Sequence, residues 1–214
     1  MKNIKVILVD DHAVVRTGYK ILLKEAEYIK IIAETDTGEK AILLAKKFSP
    51  DVIVMDISLP GINGIEAIRR ILFDNKNIKI LVFSMHEEVV FVERALQAGA
   101  IGYMTKSSDP KLLSKAIKSV SAGKQFIDDD LKKKMSYEHE RQRESNTVLS
   151  DLSAREFQIF CLLAEGKNTN EISSILDISY KTVANYSSQI KNKLHASTVA
   201  DIARIAIRHN IIKA

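Results

Sequence analysis

Asp10 and Asp11 end the run Ile4-Lys5-Val6-Ile7-Leu8-Val9, and Asp56 ends the run Val52-Ile53-Val54-Met55. Short, mostly β-branched runs of this kind read as buried parallel strands. Ligands of open α/β sheets bind just beyond the carboxyl ends of the strands. Three carboxylates converging at one such edge repel one another unless a cation neutralises them, and oxygen donors in that number suit Mg2+. Ser84 follows Ile80–Phe83 and Lys106 falls just past Ile101–Met104, so four strand ends deliver polar groups to the same edge. Each type has a role in phosphoryl chemistry. The Asp56 carboxylate can attack phosphorus in line and become an acyl phosphate. Mg2+ held by its neighbours neutralises charge on the transferring group. The Lys106 ammonium is a compact point charge for phosphoryl oxygens, and the Ser84 hydroxyl can hydrogen-bond one of them. Singly these residues have ordinary explanations, Asp11 as a helix cap and Lys106 as a solvated lysine. Five of them at the ends of four strands point to a phosphoryl pocket. His12 and His86 lie close by in sequence and read as half-exposed residues at helix starts, outside the site.

The elements that must position these groups follow from periodicity. Strand-like runs at Ile4–Val9, Ile29–Ala33, Asp51–Met55, Ile78–Phe83 and Ile101–Met104 alternate with segments of helical spacing. Val14, Ile21 and Leu22 mark the first helix, and Ala41, Leu44, Ala45 and Phe48 the second. Ala67, Ile68, Ile71 and Leu72 mark the third, Val89, Val90, Ala95, Leu96 and Ala98 the fourth, and Leu112, Leu113, Ala116, Ile117 and Val120 the fifth. Five strands alternating with five helices predict an α/β doubly wound parallel sheet covered on both faces. Residues 125–149 break the pattern with Asp128-Asp129-Asp130, Lys132-Lys133-Lys134 and a polar, charge-alternating tail. They read as a solvated linker between a domain at 1–124 and another at 150–214.

The second domain is entirely helical in pattern. Ser153 with Glu156 forms a capping box for a helix ending near Gly166. Glu171–Leu176 reads as a short helix capped by Thr169, and Asp177-Ile178-Ser179 as a turn. Tyr180–Leu194 is a longer helix with Ser179 as N-cap, and Ser197–His209 is the last. A short helix, a tight turn and a longer polar helix is the helix-turn-helix arrangement. With Val183, Ile190 and Leu194 facing inward, the outer face of Tyr180–Leu194 carries Lys181, Thr182, Asn185, Tyr186, Ser188, Gln189 and Lys191, and no acid. Lys181, Thr182 and Lys191 suit phosphate contacts. Asn185 can read adenine bidentately, and Ser188 is a versatile base contact.

Bulk properties bound the rest. The chain has 214 residues, 46% hydrophobic, and a net charge of +5. That charge is spread along the chain, so a case for nucleic acid rests on the motif. The absence of an apolar run of membrane-spanning length and of a basic stub with an apolar stretch predicts no membrane span and no secretory signal. The one cysteine, Cys161, sits among Phe160, Leu162 and Leu163 as a core residue. It rules out an internal disulfide and a cysteine-rich zinc site, and fits a reduced, cytoplasmic setting.

Asp10-Asp11, Asp56 followed by Pro60 and Gly61, Ser84, and Gly102-Tyr103-Met104-Thr105-Lys106 resemble the receiver domain of two-component response regulators over residues 1 to about 122. Leu152 through Gly166, Glu171-Ile172, Ile178 through Val183, Ile190 and Lys193-Leu194 are similar to LuxR-type helix-turn-helix domains over about residues 150–212. Together they resemble the NarL/FixJ class. The resemblance implies a five-stranded flavodoxin-like receiver of order 2-1-3-4-5, with Asp56 as phosphoacceptor fed by a sensor histidine kinase. It implies that Asp11 and Asp56 hold Mg2+ directly, with Asp10 close by through water and the backbone carbonyl of Ser58 completing the protein ligands. Lys106 would contact the phosphoryl group, and Ser84 and Tyr103 would be a switch pair whose ring turns inward. It further implies promoter DNA as ligand, a homodimer when phosphorylated, RNA polymerase as a further partner at the promoter, and no role as a turnover enzyme. Two departures stand out. Ser107 follows Lys106 where many members have proline, and a cis peptide there costs more without one. Ala184 and Ser188 stand where members often carry lysine, so the target site does not transfer.

Two other classes compete. An aspartyl phosphohydrolase of the haloacid-dehalogenase pattern needs a second acid two residues after the nucleophile, where this chain has Ser58. A receiver acting only through protein contacts does not explain the acid-free face of Tyr180–Leu194. A nicotinamide enzyme is disfavoured because no G-x-G-x-x-G follows the first strand.

Overall fold

Six parallel strands form the sheet that carries the carboxylates: β1 (Ile4–Val9), β2 (Ile29–Thr35), β3 (Val52–Met55), β4 (Lys79–Ser84), β5 (Gly102–Thr105) and β6 (Phe126–Ile127), in the order β2-β1-β3-β4-β5-β6. The computed structural model describes residues 3–141, 149 and 151–212. Helices α1 (Ala13–Lys24), α2 (Gly38–Phe48), α3 (Gly64–Asp74), α4 (Val89–Gln97) and α5 (Leu112–Ser121) connect the first five strands and lead to the sixth. Alternate residues of each strand point to opposite faces. Val6, Leu8, Val52, Val54, Leu81 and Phe83 cluster with Leu23 of α1 and with Leu113, Ile117 and Val120 of α5. Ile7, Val9, Ile53, Met55, Ile80 and Val82, equally buried, take the other face. A sheet covered on both sides needs continuous apolar strands, and all four residues of β3 are buried.

The sheet departs from the five strands expected. Phe126 pairs with Gly102 and Ile127 with Tyr103, which places the start of the expected linker on the sheet edge. Helix α6 (Asp129–Arg141) follows at once, and the chain divides into two units between Lys134 and Met135. Residues 142–148 of the expected linker lie outside the described residues. A two-residue strand beside three aspartates carries no periodic signal, which is why composition alone reads this segment as solvated. On α1, Val14 and Ile21 are 85% and 62% exposed, whereas their spacing reads as an inward stripe. Leu23 alone of that helix is buried.

The second unit contains α7 (Ala154–Ala164), α8 (Thr169–Leu176), α9 (Tyr180–Lys193) and α10 (Val199–Arg208). Helix α7 packs against α9 and α10, and α8 against α9, around Phe157, Phe160, Ile172, Leu176, Val183, Ile190 and Ile202. The Ser153–Glu156 capping box is present on α7. Glu156 is 4% exposed and also accepts from Lys193 Nζ at 2.7 Å. Burial raises its carboxyl, but Lys193 and Ser153 outweigh that and hold it below the usual carboxylate range. Asn168, not Thr169, caps α8, because its side chain accepts from the amides of Asn170 and Glu171 while Glu171 returns the bond to Asn168. Asp177 ends α8 in the left-handed region at φ 49°, which a short polar side chain tolerates. Ser179 then caps α9 by accepting from Thr182 N–H. That is the turn of a helix-turn-helix. Helix α10 starts at Val199 under a Thr198–Asp201 capping box, two residues later than spacing predicts.

Candidate functional site

Register explains why the pocket assembles. Val9 pairs with Met55 across β1 and β3, so Asp10 and Asp56 follow paired residues at one edge. Ser84 pairs with Thr105 across β4 and β5, which sets Lys106 beside it, with Lys106 N–H donating to the Ser84 carbonyl at 2.8 Å. The Lys106 ammonium lies 2.5 Å from Asp56 Oδ2 and 2.6 Å from Asp10 Oδ2, with all three side chains under 8% exposed. Burial alone would lower this ammonium, but the Asp56 and Asp10 carboxylates reverse the effect and hold it above its ordinary value. A charged lysine is therefore the counter-ion of two buried carboxylates, which would otherwise carry a heavy desolvation cost.

Asp10, Asp11, His12 and Asp56 each present one donor atom, all within 4.8 Å of one another. Three carboxylate donors in that space fit a hard divalent cation. His12 belongs to this cluster, although sequence reading leaves it out. Its Nδ1 lies 2.8 Å from Asp11 Oδ1 and 3.3 Å from Asp10 Oδ1, and its position directly after Asp10-Asp11 is the signal that could have found it. The Ser58 amide donates to Asp56 Oδ1 at 3.1 Å, and the Ser58 hydroxyl lies 2.9 Å from His86 Nε2. His86 stacks on Phe91 at 3.9 Å, so it too borders the pocket. Arg16 Nη1 donates to the Asp10 carbonyl.

Ser84 and Tyr103 are both fully buried. The Tyr103 ring is turned inward, its hydroxyl donating to the His86 carbonyl at 2.9 Å. Burial pushes the phenol well above its ordinary range, with Glu88 and Asp56 adding to the shift and a hydrogen bond with Ser84 opposing it. The peptide bonds of the described residues, Lys106–Ser107 included, are all trans.

On α9, Val183 and Ile190 face the core. Lys181, Asn185 and Ser188 are exposed, whereas Thr182, Tyr186 and Lys191 are half-buried. Thr182 also hydrogen-bonds Ser179 at 2.8 Å, which ties its hydroxyl to the helix start. Gln189 is exposed on the same face.

A parallel α/β unit with a carboxylate–lysine pocket at its carboxyl edge, joined on one chain to a helix-turn-helix unit, defines a signal-switched DNA-binding regulator. The family model for the response regulator receiver domain matches residues 6–118, and that for bacterial regulatory proteins of the luxR family matches residues 150–206. The chain is 35% identical over 211 residues to the response regulator UvrY of Escherichia coli strain K12, covering 99% of this chain and 97% of that protein. It is 36% identical to the response regulator GacA of Pseudomonas aeruginosa, covering 99% of each. Among solved structures it is similar to a LuxR-family two-component response regulator from Aurantimonas sp., at 38% identity and TM-score 0.63 over 64% of this chain and 99% of that one. It shares its fold with Salmonella enterica RcsB bound to promoter DNA in the presence of beryllofluoride, at 24% identity and TM-score 0.68 over 100% of each chain. The chain belongs to the response regulator family, in its NarL/FixJ class, and is a phosphorylation-dependent DNA-binding transcription regulator of a two-component system.

Proposed function

We propose that residues 1–124 receive a phosphoryl group on Asp56 from a sensor histidine kinase and that residues 150–214 bind promoter DNA as a homodimer in response. The observation that carries the first half is the Lys106 ammonium clasped between Asp56 and Asp10. The carboxylate oxygen of Asp56 forms the new P–O bond as the P–N bond of the donor phosphohistidine breaks. Asp11 and Asp56 would hold Mg2+ directly, with Asp10 through water and the Ser58 carbonyl as a further ligand. When bound, the ion neutralises charge on the transferring group. Lys106 is already charged and already beside Asp56, so it needs only a small movement to reach a phosphoryl oxygen. Ser84 turns its hydroxyl to another oxygen, and the buried Tyr103 ring marks the inward state of the switch. Catalysis is confined to transfer onto and off Asp56, without turnover of a separate substrate. Among the described residues no helix is long and apolar enough to cross a membrane.

DNA readout falls to Lys181, Thr182, Asn185, Tyr186, Ser188 and Lys191 of α9, and one such helix reads only a few base pairs, so two half-sites are needed. Retention of genomic DNA fragments by the intact chain tests this. Lys181→Ala combined with Asn185→Ala is expected to weaken retention by roughly tenfold or more, since a bidentate base contact alone is worth about 1–3 kcal/mol. Loss of the lysine should also lower the salt dependence by about one unit of slope. Undiminished retention by a folded double variant would favour the reading in which the helical unit docks a protein partner.

A further inference from the structure

The end of β5 and the turn after it carry three hydroxyls that the phosphoryl chemistry leaves unused. Thr105 Oγ1 lies 2.9 Å from Ser107 Oγ and 2.7 Å from Ser108 Oγ, so two serines close around residue 106 onto a buried threonine. Each serine also bonds outward. Ser107 Oγ donates to Glu87 Oε1 at 2.7 Å, and Glu87 is paired through its other oxygen with Lys134 Nζ at 2.8 Å. Ser108 Oγ donates to Asp128 Oδ2. Asp128 is anchored to β5 by its own amide, which donates to the Tyr103 carbonyl at 3.2 Å, and its carbonyl accepts the Lys132 amide in the first turn of α6. Tyr103 and the residues that flank Lys106 are thus connected to the start of α6 by a set of hydrogen bonds, all within the first unit.

Helix α6 is mostly exposed over residues 129–137. Among residues 129–137 only Leu131 is buried. Between the helix and the turn lies a cleft of about 580 Å3 lined by Glu87, Thr105, Ser107, Ser108, Asp128 and Leu131, among others. A helix that buries a single side chain, Leu131, over residues 129–137 is the kind of element whose position a small loop movement can bias. Residue 107 is serine and supplies the hydroxyl that reaches Glu87.

We propose that Thr105, Ser107 and Ser108 are positioning residues that fix Lys106 over Asp56 and tie its turn to α6 through Asp128 and the Glu87–Lys134 pair, so that phosphoryl occupancy is passed to the helix leading into the DNA-binding unit. This rests on the phosphoryl reading of Asp56. As Lys106 leaves the carboxylate pair for a phosphoryl oxygen, its turn moves and the two ties to α6 are remade or lost. Linkage then works in both directions.

Hydrogen exchange on the intact chain, with and without Mg2+ and beryllofluoride, tests it. In the wild type, beryllofluoride is expected to change protection of the amides around Asp56 and, by about tenfold, of those at 129–137. In Ser107→Ala with Ser108→Ala the pocket should still respond while 129–137 no longer does, and Ser108→Thr should restore part of the response. Asp128→Asn and Lys134→Gln, which change the α6 side of the two ties and not the turn's own residues, should each reduce the response of 129–137. If α6 is indifferent in the wild type, or responds in the alanine, Asp128→Asn and Lys134→Gln variants as it does in the wild type, the coupling is refuted while the phosphoryl pocket stands. If the amides around Asp56 do not respond in the wild type either, the phosphoryl reading fails and the coupling with it.

Discussion

Asp56→Asn will accept no phosphoryl group. Incorporation from a small donor such as acetyl phosphate, read as a mass gain on the intact chain, is expected to fall by on the order of 10^4-fold or more, as when other covalent nucleophiles are removed. Asparagine keeps the size of the side chain and an oxygen for the Ser58 amide, which donates to Asp56 at 3.1 Å, so the loop should keep its shape. What is lost is the attacking carboxylate and half of the counter-charge of Lys106, which retains Asp10 at 2.6 Å. Lys106→Ala should act differently: the nucleophile stays, but the positive charge aimed at the phosphoryl oxygens goes, and a loss of about 10^2-fold is expected. Incorporation by a folded Asp56→Asn chain at the wild-type rate would remove Asp56 from the chemistry.

The second large effect is expected at Gly64, the first residue of α3. A Cβ there would lie 2.1 Å from the Asp56 carbonyl oxygen and 2.7 Å from Ile57 Cα, both backbone atoms that cannot swing aside. The start of α3 is also pinned, because the Gly64 amide donates to the Ile57 carbonyl and Asn63 caps the helix at the Glu66 amide. Gly64→Ala should therefore cost about 3 kcal/mol or more, at the upper end of overpacking penalties, measured by denaturant unfolding of the receiver signal. The displacement falls on residue 56 itself, so phosphoryl incorporation should slow in the fraction that remains folded. A Gly64→Ala chain as stable and as readily phosphorylated as the wild type would mean that α3 does not approach β3 this closely.

The pocket is legible in the sequence because a parallel sheet puts every strand's carboxyl end on one side, so residue type at the strand ends is enough to see Asp10, Asp11, Asp56, Ser84 and Lys106 converge. The direct clasp of Lys106 on two carboxylates is not legible, since it depends on side-chain reach across three strands. His12 and His86 escape for a related reason: a histidine at a helix start looks the same whether it faces water or a neighbouring loop. Strand β6 and the docked start of α6 are invisible to periodicity, because two paired residues and one buried leucine leave no repeat to detect. The inward stripe expected on α1 fails at Val14 and Ile21, whose spacing fits a buried face although Leu23 is buried and Tyr19 packs against Phe83 instead. In the helical unit capping boxes set the starts of α7, α8 and α10, and Ser179 alone that of α9. Asn168 wins over Thr169 because Glu171 stands three residues after it and returns the bond.

The most direct measurement is selection of bound genomic fragments by the intact chain under three conditions: alone, with Mg2+ and beryllofluoride, and as Asp56→Asn with the same additions. A phosphoryl switch requires that beryllofluoride raise specific DNA affinity of the wild type at least about tenfold, about 1.4 kcal/mol of coupling, and that the variant stay at the resting level. Equal affinity and identical fragments in all three would contradict the switch and leave only constitutive DNA binding.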